Sequence, residues 1–205
     1  MTDNTPSIVL ASASPRRREL LAGLGVCFQV VPSQIDEERF EGETAEAFVR
    51  RLSRDKALDV ANRNDIDGRW FIGSDTIVVC DQQILGKPID HDDARRMLQL
   101  LSGRSHQVMS AYTIHDRETE EDIVRCEITE VWFRPLTGRE IEGYIASGEP
   151  ADKAGSYAIQ GLGAFMVTAI HGSYTSVVGL PLSQIVSDLI QLGAVQLFTA
   201  TDTPS

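Results

Sequence analysis

Cysteine is scarce in this chain: its 205 residues include three, Cys27, Cys80 and Cys126. An odd number of widely spaced cysteines, with no CxxC pair and no zinc-like spacing, excludes a disulfide framework and is typical of reduced thiols. No apolar run approaches the ~18 residues of a membrane-spanning helix, so no membrane partner is expected. The first residues lack the basic and apolar regions of a signal peptide, and a cytoplasmic location is expected.

Positive charge is also scarce: the chain has 19 Lys and Arg against 30 Asp and Glu, which gives a net charge of -11. An acidic chain argues against a general polyanion-binding surface, so nucleic acid is not an expected partner. The sequence has neither a GxxxxGK[ST] motif nor a GxGxxG after a strand, which excludes the P-loop and Rossmann classes. The four histidines show no metal-ligand spacing.

Strand and helix signals alternate along the chain, without repeats or an evident linker. They predict an α/β fold with an α+β tendency, in which helices flank a mixed, twisted sheet. One domain over residues 7–195 is expected, with flexible tails at 1–6 and 196–205. The pattern predicts strands at 7–12, 26–31, 70–79, 107–114, 123–133 and 165–170. It predicts helices from Pro15 to Gly25, from Thr44 to Ala61, from Asp90 to Gly103, from Thr137 to Gly148 and from Pro181 to Leu192.

Three arginines, Arg16 to Arg18, open the first of these helices, behind Ser14 as N-cap and Pro15 as first helical residue. Cations are unfavourable beside the positive end of a helix dipole, unless an anion is held there. The turn therefore predicts either a solvated basic turn or an anion site. In the second case Ser12, Ser14, Arg16 and Arg17 donate hydrogen bonds to it.

Lys56 lies in the middle of the apolar stripe of the helix that begins at Thr44, four residues after Leu52. Such a lysine either extends past the core to solvent or reaches a polar site beneath the helix. Arg50 and Arg54 lie on the opposite face, where solvent is expected.

Asp75 lies within the apolar strand, directly after Gly73 and Ser74. A buried carboxylate without a partner costs several kcal/mol. It therefore needs a cation, a metal or neighbouring donors. Asp75 is either a structural partner of a core lysine or a metal ligand or general base.

Several cations and few carboxylates form one candidate set, which suits phosphoryl or nucleotidyl chemistry. Cations offset the charge of phosphate oxygens, and a carboxylate holds Mg²⁺ or takes a proton from water. The set comprises Arg16, Arg17, Lys56, Lys87, Lys153, Asp75 and Glu37.

The segment 10–21, LASASPRRRELL, resembles the signature of the Maf family of nucleoside triphosphate pyrophosphatases. The resemblance continues in the family's order and spacing over nearly the whole chain. Its further blocks are RDKA at 54–57, GSDT at 73–76, LGKP at 85–88, LSG at 101–103, KAG at 153–155, IQG at 159–161 and VGLP at 178–181.

The resemblance implies an elongated, two-lobed α/β fold with a central cleft, similar to inosine triphosphate pyrophosphatases. It implies hydrolysis of a nucleoside triphosphate substrate to the monophosphate and pyrophosphate with a divalent metal, Mg²⁺ or Mn²⁺, and a homodimer. Asp75 matches the catalytic proton acceptor. Arg16, Thr76 and Gln160 match positions associated with substrate choice, and Glu37, Lys56 and Lys87 match further residues of the cleft.

In this interpretation Lys56, Lys87 and Lys153 offset charge at the α–β linkage, while Asp75 orients and deprotonates water, alone or with Glu37 on the metal. A buried amide at Gln160 reads the base. The Ile-Gln-Gly block resembles the branch acting on dTTP and UTP. Two alternatives stay open: the same chemistry on 7-methyl-GTP or another modified nucleotide, and a nucleotide-sensing regulator of cell division.

Overall fold

A seven-stranded sheet with helices around it organises the chain, as the alternating signals predict. The computed structural model describes residues 7–197. The strands are β1 (Ile8–Leu10), β2 (Gln29–Val30), β3 (Trp70–Cys80), β4 (Gln83–Leu85), β5 (Ser105–Asp116), β6 (Glu121–Phe133) and β7 (Val167–His171). The α-helices are α1 (Pro15–Ala22), α2 (Ala45–Ala61), α3 (His91–Leu101), α4 (Gly138–Ala146), α5 (Tyr174–Val178) and α6 (Leu182–Gln191).

The sheet is mixed, as expected. Its strand order is β2-β1-β3-β5-β6-β7, with β4 paired to β3. Strand β1 runs parallel to β2 and β3, whereas the β3–β4 and β6–β7 pairs are antiparallel. Asp81 and Gln82 have φ values of 49° and 63°, the left-handed conformation that a tight hairpin turn between β3 and β4 requires.

Contacts divide the chain into two compact units. Among the described residues, unit 1 comprises those up to Asp75, Ala111–Cys126 and those from Gly179 onward. Its core packs β1 and the first half of β3 against α1, α2 and α6. Unit 2 comprises Thr76–Ser110 and Glu127–Val178, and its core packs α3 and α4 against the remaining strand segments.

Most of the predicted helix starts are confirmed by their capping bonds. The Thr44 side chain accepts a hydrogen bond from the Ala47 amide at 3.2 Å. Thr137 and Glu140 form a reciprocal capping box, in which each side chain bonds the backbone amide of the other residue. At α3 the Asp90 side chain caps the Asp93 amide at 2.8 Å, but the Asp93 carboxylate accepts from Ile89 instead of completing a box.

Three predicted elements are shorter than expected. The strand over 7–12 is reduced to β1, Ile8–Leu10. The strand over 26–31 is reduced to Gln29–Val30, because its partner β1 has only three residues to pair with. Helix α1 ends at Ala22, where the amides of Leu24 and Gly25 bond carbonyls three residues back and tighten the last turn.

Residues 7–197 contain all three cysteines and no disulfide bond between them. In the same range no helix has both the length and the apolar composition needed to span a bilayer. The predicted tails at 1–6 and 196–205 lie outside the described residues, apart from Gln196 and Leu197. The domain limits and the cleft stay predictions.

Candidate active site

Helix α2 packs closely against strand β3 at Gly73, and this contact positions the central residues of the candidate site. A Cβ atom at Gly73 would lie 2.0 Å from the carbonyl oxygen of Ser53 and 2.6 Å from the amide nitrogen of Ala57. Only glycine allows the helix backbone so near the strand. The approach brings Lys56 of the helix to Asp75 of the strand.

Lys56 bridges two carboxylates in unit 1. Its Nζ lies 2.6 Å from Oδ1 of Asp75 and 2.6 Å from Oε1 of Glu37. Lys56 and Asp75 are only 7% and 6% exposed. The ammonium therefore points into a polar site beneath the helix, and the alternative of a lysine extending to solvent is wrong. Arg50 and Arg54 lie half-exposed or exposed, as expected.

Burial dominates the electrostatics of Asp75. Loss of solvent raises the pKa of its carboxyl group, and the positive charges of Lys56 and Arg17 oppose this rise without cancelling it. A carboxylate with a raised pKa is a stronger proton acceptor than one in water. This environment suits a general base, and the bond to Lys56 equally fits the structural pairing with a core lysine that the sequence left open.

The arginine turn contributes a second set of polar groups to unit 1. Arg17 donates from Nε to the Gly179 carbonyl oxygen at 2.8 Å and from Nη1 to Oγ of Ser12 at 3.3 Å. Desolvation lowers the pKa of Arg17, although the negative charges of Asp75 and Glu37 act in the opposite direction. These couplings link the arginine turn electrostatically to the two carboxylates.

Ser14 occupies the predicted N-cap position of α1, but its side chain makes no capping hydrogen bond. Its amide instead donates to Oγ of buried Ser12 at 3.2 Å. The first turn of α1 contains no acidic residue, and half-buried Arg16 stands in it beside Arg17. The first turn of α1 thus places Arg16 and Arg17 but no acidic residue at the positive end of the helix, an arrangement that suits an anion site.

The sequence did not predict that Gly179 and Ser74 contact each other in the site. The fully buried Ser74 hydroxyl lies 2.9 Å from the Ala111 carbonyl oxygen and 3.2 Å from that of Gly179. Gly179 has a φ of 131°, which other residues rarely adopt. Its carbonyl thereby ties the arginine turn to β3. The Gly-Leu-Pro block at 179–181 was the available signal.

Thr76, the first residue of unit 2, belongs to a separate hydroxyl chain. Its Oγ1 lies 2.8 Å from Oγ of fully buried Ser110, which lies 2.7 Å from the Ser176 carbonyl oxygen. Because Ser110 has one hydroxyl proton and a carbonyl can only accept, Ser110 donates to Ser176 and Thr76 donates to Ser110. Thr76 is half-buried and oriented by this chain.

The Lys87 and Lys153 segments are neighbours in unit 2. The amide of Gly155 donates to the Gly86 carbonyl oxygen at 3.0 Å. Lys87 is exposed, whereas the Lys153 ammonium bonds the Glu149 carbonyl oxygen at 2.8 Å and the Asp152 carboxylate at 2.6 Å. Lys153 therefore serves its own loop in this structure.

Gln160 is half-buried, so the expectation of a buried amide is corrected. It lies on a loop wrapped around Glu149, whose carboxylate accepts from the amides of Gly163 at 2.9 Å and Leu162 at 3.0 Å and from the Tyr144 hydroxyl at 2.9 Å. Burial raises the pKa of Glu149, but these donors outweigh it and hold that pKa below its ordinary value. A charged carboxylate thus supports the loop from inside.

Within residues 7–197 no group of three or more His, Cys, Asp or Glu side chains is placed to hold a metal. Asp75 and Glu37 meet at the Lys56 ammonium and supply hard oxygen donors. Mg²⁺ is usually bound by one or two carboxylates together with substrate phosphate oxygens. The donor set therefore fits a divalent cation that also binds phosphate.

Sequence comparisons agree with this chemistry. A profile of the family described as Maf-like protein matches residues 7–192. A dTTP/UTP pyrophosphatase of Syntrophotalea carbinolica is 58% identical over 202 residues, covering 98% of this chain and 91% of that relative. Proteins of the same name from Geobacter sulfurreducens and Vibrio vulnificus are each 55% identical, covering 92% and 85% of this chain and 97% and 92% of the relatives. The chain belongs to the Maf family.

Proposed function

We propose that this chain hydrolyses dTTP, UTP and modified relatives to the nucleoside monophosphate and pyrophosphate. The observation that carries the proposal is the buried Lys56 ammonium held between the carboxylates of Asp75 and Glu37. The names of the relatives support the reaction and the substrate class. Such enzymes remove surplus or altered nucleotides before they are incorporated.

Phosphate binding is assigned to the arginine turn and Lys56. The N-terminus of α1 offers backbone N–H groups and a positive dipole end, and Arg16 adds a guanidinium. Ser12 and Ser14 contribute hydroxyls. Arg17 secures the turn through Gly179 and adds positive charge. Together these groups offset the negative charge of a triphosphate.

Asp75 is proposed as the proton acceptor. A carboxylate has two oxygens, so Oδ1 can keep its bond to Lys56 while Oδ2 takes a proton from water. The resulting hydroxide attacks a phosphorus of the α–β anhydride. The bond between that phosphorus and the bridging oxygen breaks, and pyrophosphate is released. Lys56 moderates the charge of Asp75 and offsets that of the reacting phosphate.

Asp75 and Glu37 would hold a divalent cation, Mg²⁺ or Mn²⁺, in this proposal. When bound, the cation neutralises phosphate charge and makes the phosphorus easier to attack. Both carboxylates keep a proton-accepting or ligating oxygen besides the one that meets Lys56. Lys87 and Lys153 are proposed as further cations for the phosphates.

Base choice is assigned to Arg16, Thr76 and Gln160. An amide that pairs with one base edge and is left without a partner by another penalises the wrong nucleotide. Support for the Gln160 assignment comes from its place on the loop around Glu149, whose carboxylate bonds the backbone amides of Leu162 and Gly163 just after Gln160. Support for Thr76 comes from the hydroxyl chain that orients it.

The test is a metal-supplemented screen of dTTP, UTP, CTP and 7-methyl-GTP with detection of released pyrophosphate. We expect pyrophosphate from dTTP and UTP and none after chelation of the metal. A preference for 7-methyl-GTP would move the substrate to the alternative branch. Tight nucleotide binding without any release would instead favour the nucleotide-sensing regulator.

Location and assembly complete the proposal. A cytoplasmic site of action suits a nucleotide substrate and three cysteines without a disulfide bond among residues 7–197. The net charge of -11 supports a small nucleotide partner over nucleic acid. A homodimer stays a prediction, which light scattering of the purified protein would test.

A further inference from the structure

The loop between β2 and α2 carries Glu37 without regular secondary structure. The side chain of Glu37 is 47% exposed, although its carboxylate meets Lys56. Loops of this kind open easily when few buried contacts hold them. The position of the Glu37 carboxylate therefore depends on whatever fixes the loop backbone.

Arg51 of helix α2 makes several of the bonds that fix this loop. Its Nε and Nη2 atoms bond the two carboxylate oxygens of Glu43 at 2.8 and 2.9 Å. Nη2 also donates to the carbonyl oxygen of Glu38, the residue after Glu37, at 2.9 Å. The guanidinium lies 3.9 Å from the ring centre of Phe40. The Arg51 side chain thus contacts the loop at Glu38, Phe40 and Glu43.

Helix α2 also holds the loop on the other side of Glu37. The amide of Gln34 donates to Oδ2 of Asp59 at 2.9 Å, and Asp59 is itself paired with Arg63 at 2.6 Å. The same helix carries Lys56, the partner of Glu37. The loop and the Lys56 ammonium are therefore both held by helix α2.

We propose that Arg51 is a positioning residue that acts on the reaction through Glu37. By fixing Glu38, it holds the Glu37 carboxylate against Lys56 and opposite Asp75. The hydrogen bonds of Arg51 go to Glu38, Glu43 and Asp55, so its effect on the reaction would pass through the loop. The proposal rests on the proposed function in one respect, the contribution of Glu37 to pyrophosphate release.

A double-mutant cycle with Arg51→Ala and Glu37→Ala tests this coupling. With dTTP and saturating metal, Arg51→Ala should lower kcat roughly tenfold or more, the usual effect of losing a residue that orients a ligand. In the Glu37→Ala background it should change kcat less than about twofold, because the group it positions is gone. Its effect on Tm should be the same in both backgrounds, since the Glu43 bonds are lost in each.

Arg54→Ala is the matched control, because Arg54 lies on the same helix but pairs with Asp122 and not with the loop. It should leave kcat within about twofold in both backgrounds. Arg51→Lys keeps the charge without the two-pronged bond to Glu43, and should fall between the wild type and Arg51→Ala. Equal loss of kcat in both backgrounds, or no loss at all, would overturn the proposal.

Hydrogen exchange on the unliganded protein separates this proposal from the proposed function. Arg51→Ala should speed exchange roughly tenfold or more at the amide of Phe40, which donates to the Glu43 carboxylate that Arg51 holds, whereas Arg54→Ala should leave it unchanged. If the wild type released no pyrophosphate, the proposed function would be wrong, but the exchange would still report on the loop. Unchanged exchange in Arg51→Ala would overturn the positioning role.

Discussion

Lys56→Met removes the ammonium shared by two carboxylates and keeps most of the side-chain volume. Asp75 is 6% exposed and would lose the cation it is bonded to, with the charge of Arg17 as its remaining compensation, whereas half-exposed Glu37 would regain solvent. Removing one partner of a buried pair destabilises a protein by about 3–5 kcal/mol. For a domain of this size, this corresponds to a Tm decrease of roughly 6–20 °C.

The loss should depend on pH in a defined direction. Burial already raises the pKa of Asp75 above its ordinary value of 3.8, so the folded protein retains a proton that the unfolded chain releases. Stability therefore falls as pH rises through this window. Without Lys56 the pKa of Asp75 rises further, so the pH range over which stability falls extends to higher pH. The variant should therefore be less destabilised near pH 5 than near pH 8.

The assay is thermal and urea unfolding of wild type, Lys56→Met and Lys56→Met/Asp75→Asn at about pH 5 and about pH 8. The double variant lacks the buried charge and should recover most of the lost stability at the higher pH. If it were no more stable than Lys56→Met there, the charge-balance argument would be refuted. Arg54→Gln, which removes an exposed cation from the same helix, is the control and should change Tm little.

Three further predictions concern single residues. Asp75→Asn should lower kcat by about 10²–10⁴, the usual contribution of a general base, with nucleotide affinity by calorimetry largely kept; full activity would exclude Asp75 as the base. Gly73→Ala should destabilise the fold by about 3 kcal/mol or more in urea unfolding, because its Cβ would lie 2.0 Å from the Ser53 carbonyl oxygen; a stable variant would contradict the close approach. Gln160→Ala should reduce the ratio of kcat/KM between dTTP and CTP more than it lowers the maximal rate; an unchanged ratio would assign base reading to another group.

Local signals in the sequence predicted the elements that carry the site. Thr44 and Thr137 are confirmed as helix caps, and the apolar run from Trp70 is a buried strand. These elements depend on nearest neighbours along the chain, which a sequence displays directly. Strand β2 was overestimated because its length depends on a short partner strand, which local pattern does not reveal.

The sequence also marked Lys56 and Asp75 as charges in apolar surroundings. Because burying an unpaired charge costs free energy, each was predicted to have a partner. It left open whether Lys56 reached solvent or a site, because helical periodicity gives the direction of a side chain but not what lies there. The contact between them depends on how closely α2 approaches β3 at Gly73.

The amino-acid sequence by itself determined the mixed α/β class, the family and the candidate charges, since these follow from periodicity, composition and ordered motifs. Tertiary structure alone decided that Lys56 joins Asp75 and Glu37, that Gly179 anchors Arg17, and that Arg51 holds the Glu37 loop. These contacts join residues far apart in the chain, and their ångström-scale distances arise only when helices, strands and loops pack together.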